Sequence, residues 1–421
     1  MAHNSNTRRV VFIGAAGEMC RLAIERFAVA GGDWQLALYD LRAELLEPLL
    51  EKLPAGTATA ARLDLYDPRG LRAAIDGAAL VVLGAGPYNR TAGPVLEACL
   101  EAKVPYLDFD DDIESTVHAL SLHERAEAAG VPMYIGCGLS PGMTNVLAAD
   151  AAAELDVVEN IDLYWVIGDE RGAIGRAVLD HMLRVAAGPC LTWENGGPAM
   201  HQSWVQTRWT ELGAGLGLTL MHETAHPEPV TLPRKYPDAK NIRCFGGLDP
   251  APYNGLVRGL GLAVQKGKIS MEDAIDFAEA VLTGGFGSVA GWRHALSGVG
   301  NLVRTGEATR TELVKFLALA AVNHTFPHKS AVKVEVTGLR NGLPHVVSRR
   351  TPVSGPGTYL FTDMAAATGT CCAAFMVVAL DAEPGTRAGV FTPEDWAAPE
   401  DFYKALERVG TPRNEILDVT H

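Results

Sequence analysis

Gly14 and Gly17, in VVFIGAAGEMCRLAI, and Asp40, which closes LALYD, have the types and spacing to hold a dinucleotide. Glycines allow a tight turn whose backbone N–H groups approach a pyrophosphate, the following helix points its positive end at the phosphates, and an acid roughly 20 residues on accepts hydrogen bonds from the adenine ribose. Ala16, Glu18 and Met19 belong to the same turn and helix start. Asp108 and Asp110, in YLDFDDD, form a second group that alternation places on one side of a strand. A carboxylate there could bind an ammonium or exchange a proton at a reacting nitrogen; the competing role is to cap a helix expected near Glu114. His222, Glu223 and His226 form a third group, formally the HExxH zinc-protease pattern. That pattern needs one helix to present both imidazoles, and Pro227 and Pro229 after it, with GAGLGLTLM before it, oppose a helix, so no metal is expected. Cys137 as a nucleophile would need a base to lower its pKa, and the sequence offers none.

The elements that must position these residues alternate. Apolar runs at Val10 to Ile13, LALYD, TATAARLDL, ALVVLGAG, VPYLDFD and VPMYIGCG are separated by helical stretches such as RAELLEPLLEKL and ALSLHERAEAAG. Six strands alternating with helices predict an α/β fold: a doubly wound parallel sheet, the Rossmann arrangement, with ligands across the C-terminal strand ends. A second, α+β domain is expected to be inserted before a C-terminal return helix at about Met364 to Leu380. The expected boundaries are 1–150 with about 363–421 for the nucleotide domain and 151–362 for a substrate and dimerisation domain. Arg243, Arg258, Arg293 and Lys329 are candidates for a substrate carboxylate, and His324 and His328 are read as loop residues.

At 421 residues, 48% hydrophobic and 20% charged, the chain is too long for one ordinary core and too apolar to be disordered. A net charge of −14 argues against nucleic acid or an anionic membrane as a partner, since both need clustered Lys and Arg. No apolar stretch reaches the ~20 residues of a membrane span, and MAHNSNTRR lacks the apolar core of a signal peptide. Seven scattered cysteines suit reduced thiols and a cytoplasmic location, with Cys371 and Cys372 read as helix-filling residues rather than a vicinal disulfide. The glycosylation triplets at Asn89 and Asn323 carry no meaning there.

The segment Leu80 to Asn145 resembles the saccharopine dehydrogenase-like oxidoreductases. The matching residues are Gly84, Ala85, Gly86 and Pro87 in a turn after the fourth strand, ACLEAKVPYLD around Asp108, and Gly136, Gly138, Pro141, Gly142 and Asn145 in a GCGxxPGxxN turn. VKVEVTGLRNGLPHVV and GVFTPEDW match more loosely, and the likeness is faint between Asp156 and Phe326. Cys20 stands where a third glycine is usual, and as a small residue it is expected to preserve close helix packing.

The resemblance implies NAD or NADP as cofactor, with Gly86, Pro87 and Tyr88 beside the nicotinamide, Cys137, Ser140 and Pro141 packing against the ring, and Asp64 near the adenine, unless Asp64 caps a helix. Asp40 would repel a 2′-phosphate and favours NAD, while Arg42 could clamp one. The expected activity is hydride transfer at a C–N bond of a small amino-acid-like substrate, with Asp108 orienting the nitrogen and Tyr88 beside it. A homodimer is expected by the same resemblance. Two alternatives stay open: an enoyl or carbonyl reductase, which an unusually apolar pocket in the second domain would favour, and a non-catalytic dinucleotide-binding sensor.

Overall fold

The computed structural model describes residues 8–168, 175–213, 215–283, 285–321, 327–383 and 385–418. Asn323 and His324 lie outside the described residues. The chain divides into two compact units, Met1–Asp150 with Ala365–Ile416, and Ala151–Met364 with Leu417–His421.

The first unit is built on a seven-stranded parallel sheet. Strands β1 (Arg8–Ile13), β2 (Trp34–Asp40), β3 (Ala58–Arg62), β4 (Leu80–Leu83), β5 (Tyr106–Asp108) and β6 (Pro132–Tyr134) are joined by a last strand, Gly389–Phe391. Their order is Gly389–Phe391, β6, β5, β4, β1, β2, β3. Val10, Val11, Phe12 and Val81 to Leu83 are wholly out of water, as expected for central strands of a sheet covered on both faces. The order reverses between β1 and β4, so the loops after those two strands flank the crevice where such sheets bind ligands.

The helix Met364–Asp381 closes this unit. It is long and apolar enough to cross a membrane, yet 72% of it is buried inside the protein. Small residues account for its seat: a Cβ on Gly369 would lie 2.7 Å from the Met19 carbonyl and 2.9 Å from the Ala23 amide of the first helix. Cys371 and Cys372 are buried free thiols, as are the other five cysteines.

The second unit carries an eight-stranded mixed sheet around β7 (Val157–Ile167), which pairs parallel with Asn241–Leu248 and antiparallel with Ala331–Arg340. Asn195–Gly196 and Asn341–Gly342 all adopt positive φ and turn tight hairpins on the sheet. Six described helices belong to this unit, including Arg176–Ala187, Pro252–Gln265, Met271–Leu282 and Val289–Thr305. The first three bury Leu179, Leu183, Leu260 and Phe277 against one another.

Candidate functional site

The glycine turn of the first unit is held by internal hydrogen bonds. Gly14 and Ala15 donate their N–H groups to the Tyr39 carbonyl at 2.9 and 3.0 Å, and Gly17 donates to Gly14 at 3.0 Å. Ala16 donates to Asp40 Oδ2 at 3.0 Å, and Asp40 Oδ1 accepts from the Arg42 N–H at 2.9 Å. The four amides of the bend are therefore engaged within the protein. The donors left for phosphate belong to the first turn of the helix Glu18–Val29, which starts at Gly17 with no side-chain cap.

Gly14, at φ 82°, is the position with no alternative residue, because a Cβ there would lie 2.5 Å from the Ala85 amide. The same contact shows that the turns after β1 and β4 abut. Cys20 fits in place of a glycine through an exchange across this junction: residue 84 is glycine, and a Cβ there would meet the Cys20 Cβ and Sγ at 2.6 Å. Gly86 and Pro87 are exposed, and a Cβ on Gly86 would meet nothing within 4 Å, which leaves open space where a flat ring could rest. The Gly86–Pro87 and Ser140–Pro141 bonds are cis. An uncapped helix start, a ribose-level carboxylate and an open rim fit a nicotinamide dinucleotide.

The remaining expected residues divide by exposure. Glu18, Arg42 and Asp64 are exposed, Ala16, Gly17, Met19, Asp40, Gly84, Ala85 and Ser140 are half-buried, and Cys137 and Pro141 are buried. Asp64 accepts from the Tyr66 N–H at 3.0 Å in a turn, and the cap of the following helix is Asp67. Burial pushes the Cys137 thiol well above its ordinary pKa, with Asp108 adding to the effect, so it stays neutral.

Asp108 and Tyr88 occupy structural positions, which speaks against the expectation that they act on substrate. Asp108 is 1% exposed. Its Oδ1 accepts from the Gly136 and Asp110 N–H groups at 2.8 and 3.1 Å, and its Oδ2 accepts from the Tyr106 hydroxyl at 2.7 Å. These bonds tie the end of β5 to the turn after β6. Burial still raises its pKa to about 6. Asp110 takes the helix-start role, accepting from the Asp112 N–H at 2.8 Å and from the Ser115 hydroxyl, with the helix beginning at Ile113. Tyr88 is buried, donates to the Leu83 carbonyl at 3.4 Å and packs edge-on against Phe109. Asn145 likewise belongs to the scaffold: its Oδ1 accepts from Gly142 and its Nδ2 donates to Glu394 Oε2 at 2.8 Å. Two motifs separated by 249 positions in the sequence are thereby joined.

The HExxH residues share no helix. His222 and Glu223 end the strand Leu218–Glu223, and His226 lies in the loop before the helix Glu228–Lys235. His222 is 1% exposed, stands edge-on to Trp204 at 5.3 Å, and neither ring nitrogen has a hydrogen-bond partner. Burial, with Arg258 nearby, lowers its pKa to about 3. Glu223 pairs with His201 at 2.6 Å, and His226 faces Glu228 at 3.4 Å with Cys244 beside them.

The second unit contains a site that the sequence reading passed over. An apolar cavity with about 920 Å³ of empty space lies among the helices Arg176–Ala187, Pro252–Gln265 and Met271–Leu282, with Leu179, Leu183, Leu260, Phe277 and Val281 in its wall. Among the described residues, Asp249 is the one charged residue lining it, and Tyr253 is the one aromatic hydroxyl. Asp249 follows the strand Asn241–Leu248, whose end is fixed by Asn254: its Oδ1 accepts from the Leu248 N–H at 2.8 Å and its Nδ2 donates to the Leu248 carbonyl at 3.0 Å. Asp249 Oδ2 accepts from the Lys329 N–H at 2.8 Å. Burial raises its pKa, opposed by that bond and by the Lys329 charge. The signal for it was an Asp-Pro step closing an apolar strand.

Comparison with known proteins identifies the first unit. Residues 10–133 match the saccharopine dehydrogenase NADP binding domain. Within its first unit the chain therefore carries a saccharopine dehydrogenase NADP binding domain. It resembles a putative trans-acting enoyl reductase of Mycobacterium tuberculosis, 29% identical over 182 residues, 42% of this chain and 43% of that one. It also resembles the carboxynorspermidine synthase of Vibrio alginolyticus, 28% identical over 205 residues, 43% of this chain and 47% of that one. These alignments span less than half of each relative. The fold extends further: saccharopine dehydrogenase (L-Glu forming) from Saccharomyces cerevisiae covers 95% of this chain and 97% of its own at a TM-score of 0.61, with 13% identity. The first unit is thus an NAD(P)-binding domain, and the chain shares its fold with that dehydrogenase.

Proposed function

We propose that this protein transfers hydride at a C–N bond, oxidising an amine or reducing an imine whose bulk is apolar. The observation that carries this reading is a single carboxylate, Asp249, among the described residues of an otherwise apolar cavity. A carboxylate in such surroundings pairs well with an ammonium or iminium nitrogen, because low dielectric strengthens the attraction that desolvation otherwise opposes. A bound nicotinamide supplies or accepts the hydride. Asp249 holds the nitrogen and exchanges its proton, a role favoured by burial raising its pKa. The apolar wall excludes water and selects a hydrocarbon body, and among the described residues no Arg or Lys lines the cavity. We further propose NAD as the preferred cofactor, since the Asp40 carboxylate, held by two backbone N–H groups, would oppose a 2′-phosphate.

The resemblance to carboxynorspermidine synthase supports the C–N reading. The apolar cavity and the enoyl reductase relatives favour a second one, reduction of a carbon–carbon double bond. Incubating the protein with NADH or NADPH and either ketone-plus-amine pairs or enoyl thioesters separates the two. Loss of reduced-nicotinamide absorbance with the amine pairs, abolished by Asp249→Asn, supports the first; loss with enoyl substrates, indifferent to Asp249→Asn, supports the second.

A further inference from the structure

A cleft of about 610 Å³ in the second unit has the opposite character to the apolar cavity. Arg258, Lys266, Lys268 and Arg304 line it together with His294 and Asn301, and among the described residues no acidic one does. In a chain with 36 basic and 50 acidic residues, such a local excess of positive charge is unusual. The helices dictate the arrangement. His294, Ser297, Asn301 and Arg304 recur at steps of three and four, so they form one stripe of Val289–Thr305, while Arg258 and Leu262 of Pro252–Gln265 and its C-cap Lys266 recur at steps of four. The two helices cross backbone to backbone: a Cβ on Gly298 would lie 2.0 Å from the Gly255 carbonyl, and one on Gly259 would lie 2.3 Å from the His294 carbonyl. Both polar stripes therefore border one cleft.

Arg258 supplies the second, independent observation. Its side chain is 5% exposed. Nε donates to the Trp204 carbonyl at 3.0 Å and Nη1 donates to Glu307 Oε1 at 2.9 Å, while Nη2 is buried with no partner. A buried guanidinium N–H without an acceptor has lost its water without replacement, so the position is one that a bound acceptor would relieve. Its two satisfied nitrogens hold the third in place, which reduces what binding must spend on ordering the side chain.

We propose that this cleft binds a small multivalent oxyanion, carrying phosphate or several carboxylate groups, with Arg258 Nη2 as the buried donor and Lys266, Lys268 and Arg304 supplying charge. Ser297 and Asn301 offer neutral hydrogen bonds at its rim. The site is separate from the nucleotide turn and does not depend on the hydride-transfer reading.

The test is calorimetric titration of the whole protein with inorganic phosphate and with citrate at low ionic strength. Saturable binding at one site per chain by either probe is expected; phosphate alone would identify a phosphorylated ligand, and citrate alone a polycarboxylate. The double variant Lys268→Glu/Arg304→Glu, both at exposed positions, should weaken binding by about tenfold or more, while Arg293→Glu, outside the cleft, leaves it unchanged. Arg258→Gln should remove binding, with thermal unfolding recorded alongside because Glu307 loses its partner. Absence of saturable binding by both probes, or equal affinity in wild type and the double variant, would overturn the proposal. Titration of NADH against the same variants reads the nucleotide site and is expected to show no change.

Discussion

Asp108 and Asp249 both sit at the C-terminal end of a sheet strand, and burial raises the pKa of each. Asp108, in the first unit, accepts three protein hydrogen bonds that bind β5 to the turn after β6. Asp249, in the second, accepts one backbone N–H and otherwise faces a hydrocarbon wall. A shifted pKa marks both alike, so the shift cannot distinguish scaffold from chemistry. Unused accepting capacity beside an open cavity can.

The comparison breaks most decisively at the glycine turn that the chemistry requires. Gly14→Val places a branched Cβ against the Ala85 backbone at a positive φ; nucleotide affinity should fall beyond detection by calorimetry, with a loss of about 3 kcal/mol or more in stability by urea unfolding. Asp249→Asn should lower turnover of an amine by about 100-fold and leave the NADH dissociation constant unchanged. Equal losses in both quantities would return Asp249 to the scaffold.

The second unit offers a buried titratable group with no partner. His222 has a folded-state pKa near 3 against 6.5 when free. Below pH 6.5 the unfolded chain takes up a proton that the folded chain refuses until about pH 3, so stability falls as pH falls through that window. At about pH 4.5 the loss should be roughly 2–3 kcal/mol, and His222→Phe should remove that slope in urea titrations. Asp108→Asn carries the smallest effect: about 1 kcal/mol of stability and turnover within about threefold of wild type, since an amide keeps the Gly136 and Asp110 bonds. A 100-fold fall in turnover would restore Asp108 to the chemistry.

The first unit was legible in the sequence because its signals are local. Gly14, Asp40 and the GAGP turn each follow an apolar strand, and the strand alternation predicts the sheet. What was not legible depends on distance. The Cys20 and Gly84 exchange spans 64 positions, and the Asn145–Glu394 bond spans 249. The internal use of all four bend amides could not be read from glycine spacing. In the second unit the helices around the apolar cavity show ordinary amphipathic patterns, which do not reveal that their buried faces leave space between them. Arg258 stood among four equal candidates until its burial, at 5% side-chain exposure, set it apart; Arg243 pairs with Glu194 at 2.5 Å, Lys329 donates to the Gly215 carbonyl and Arg293 is exposed.

The most direct test of hydride transfer at a C–N bond uses NADH deuterated at the transferable position, with the protein and an apolar ketone plus amine. Mass spectrometry of the product should place deuterium on the carbon bonded to nitrogen, in wild type and not in Asp249→Asn. Deuterium on a carbon of a former C=C bond in enoyl substrates, with none in the amine product, would contradict it.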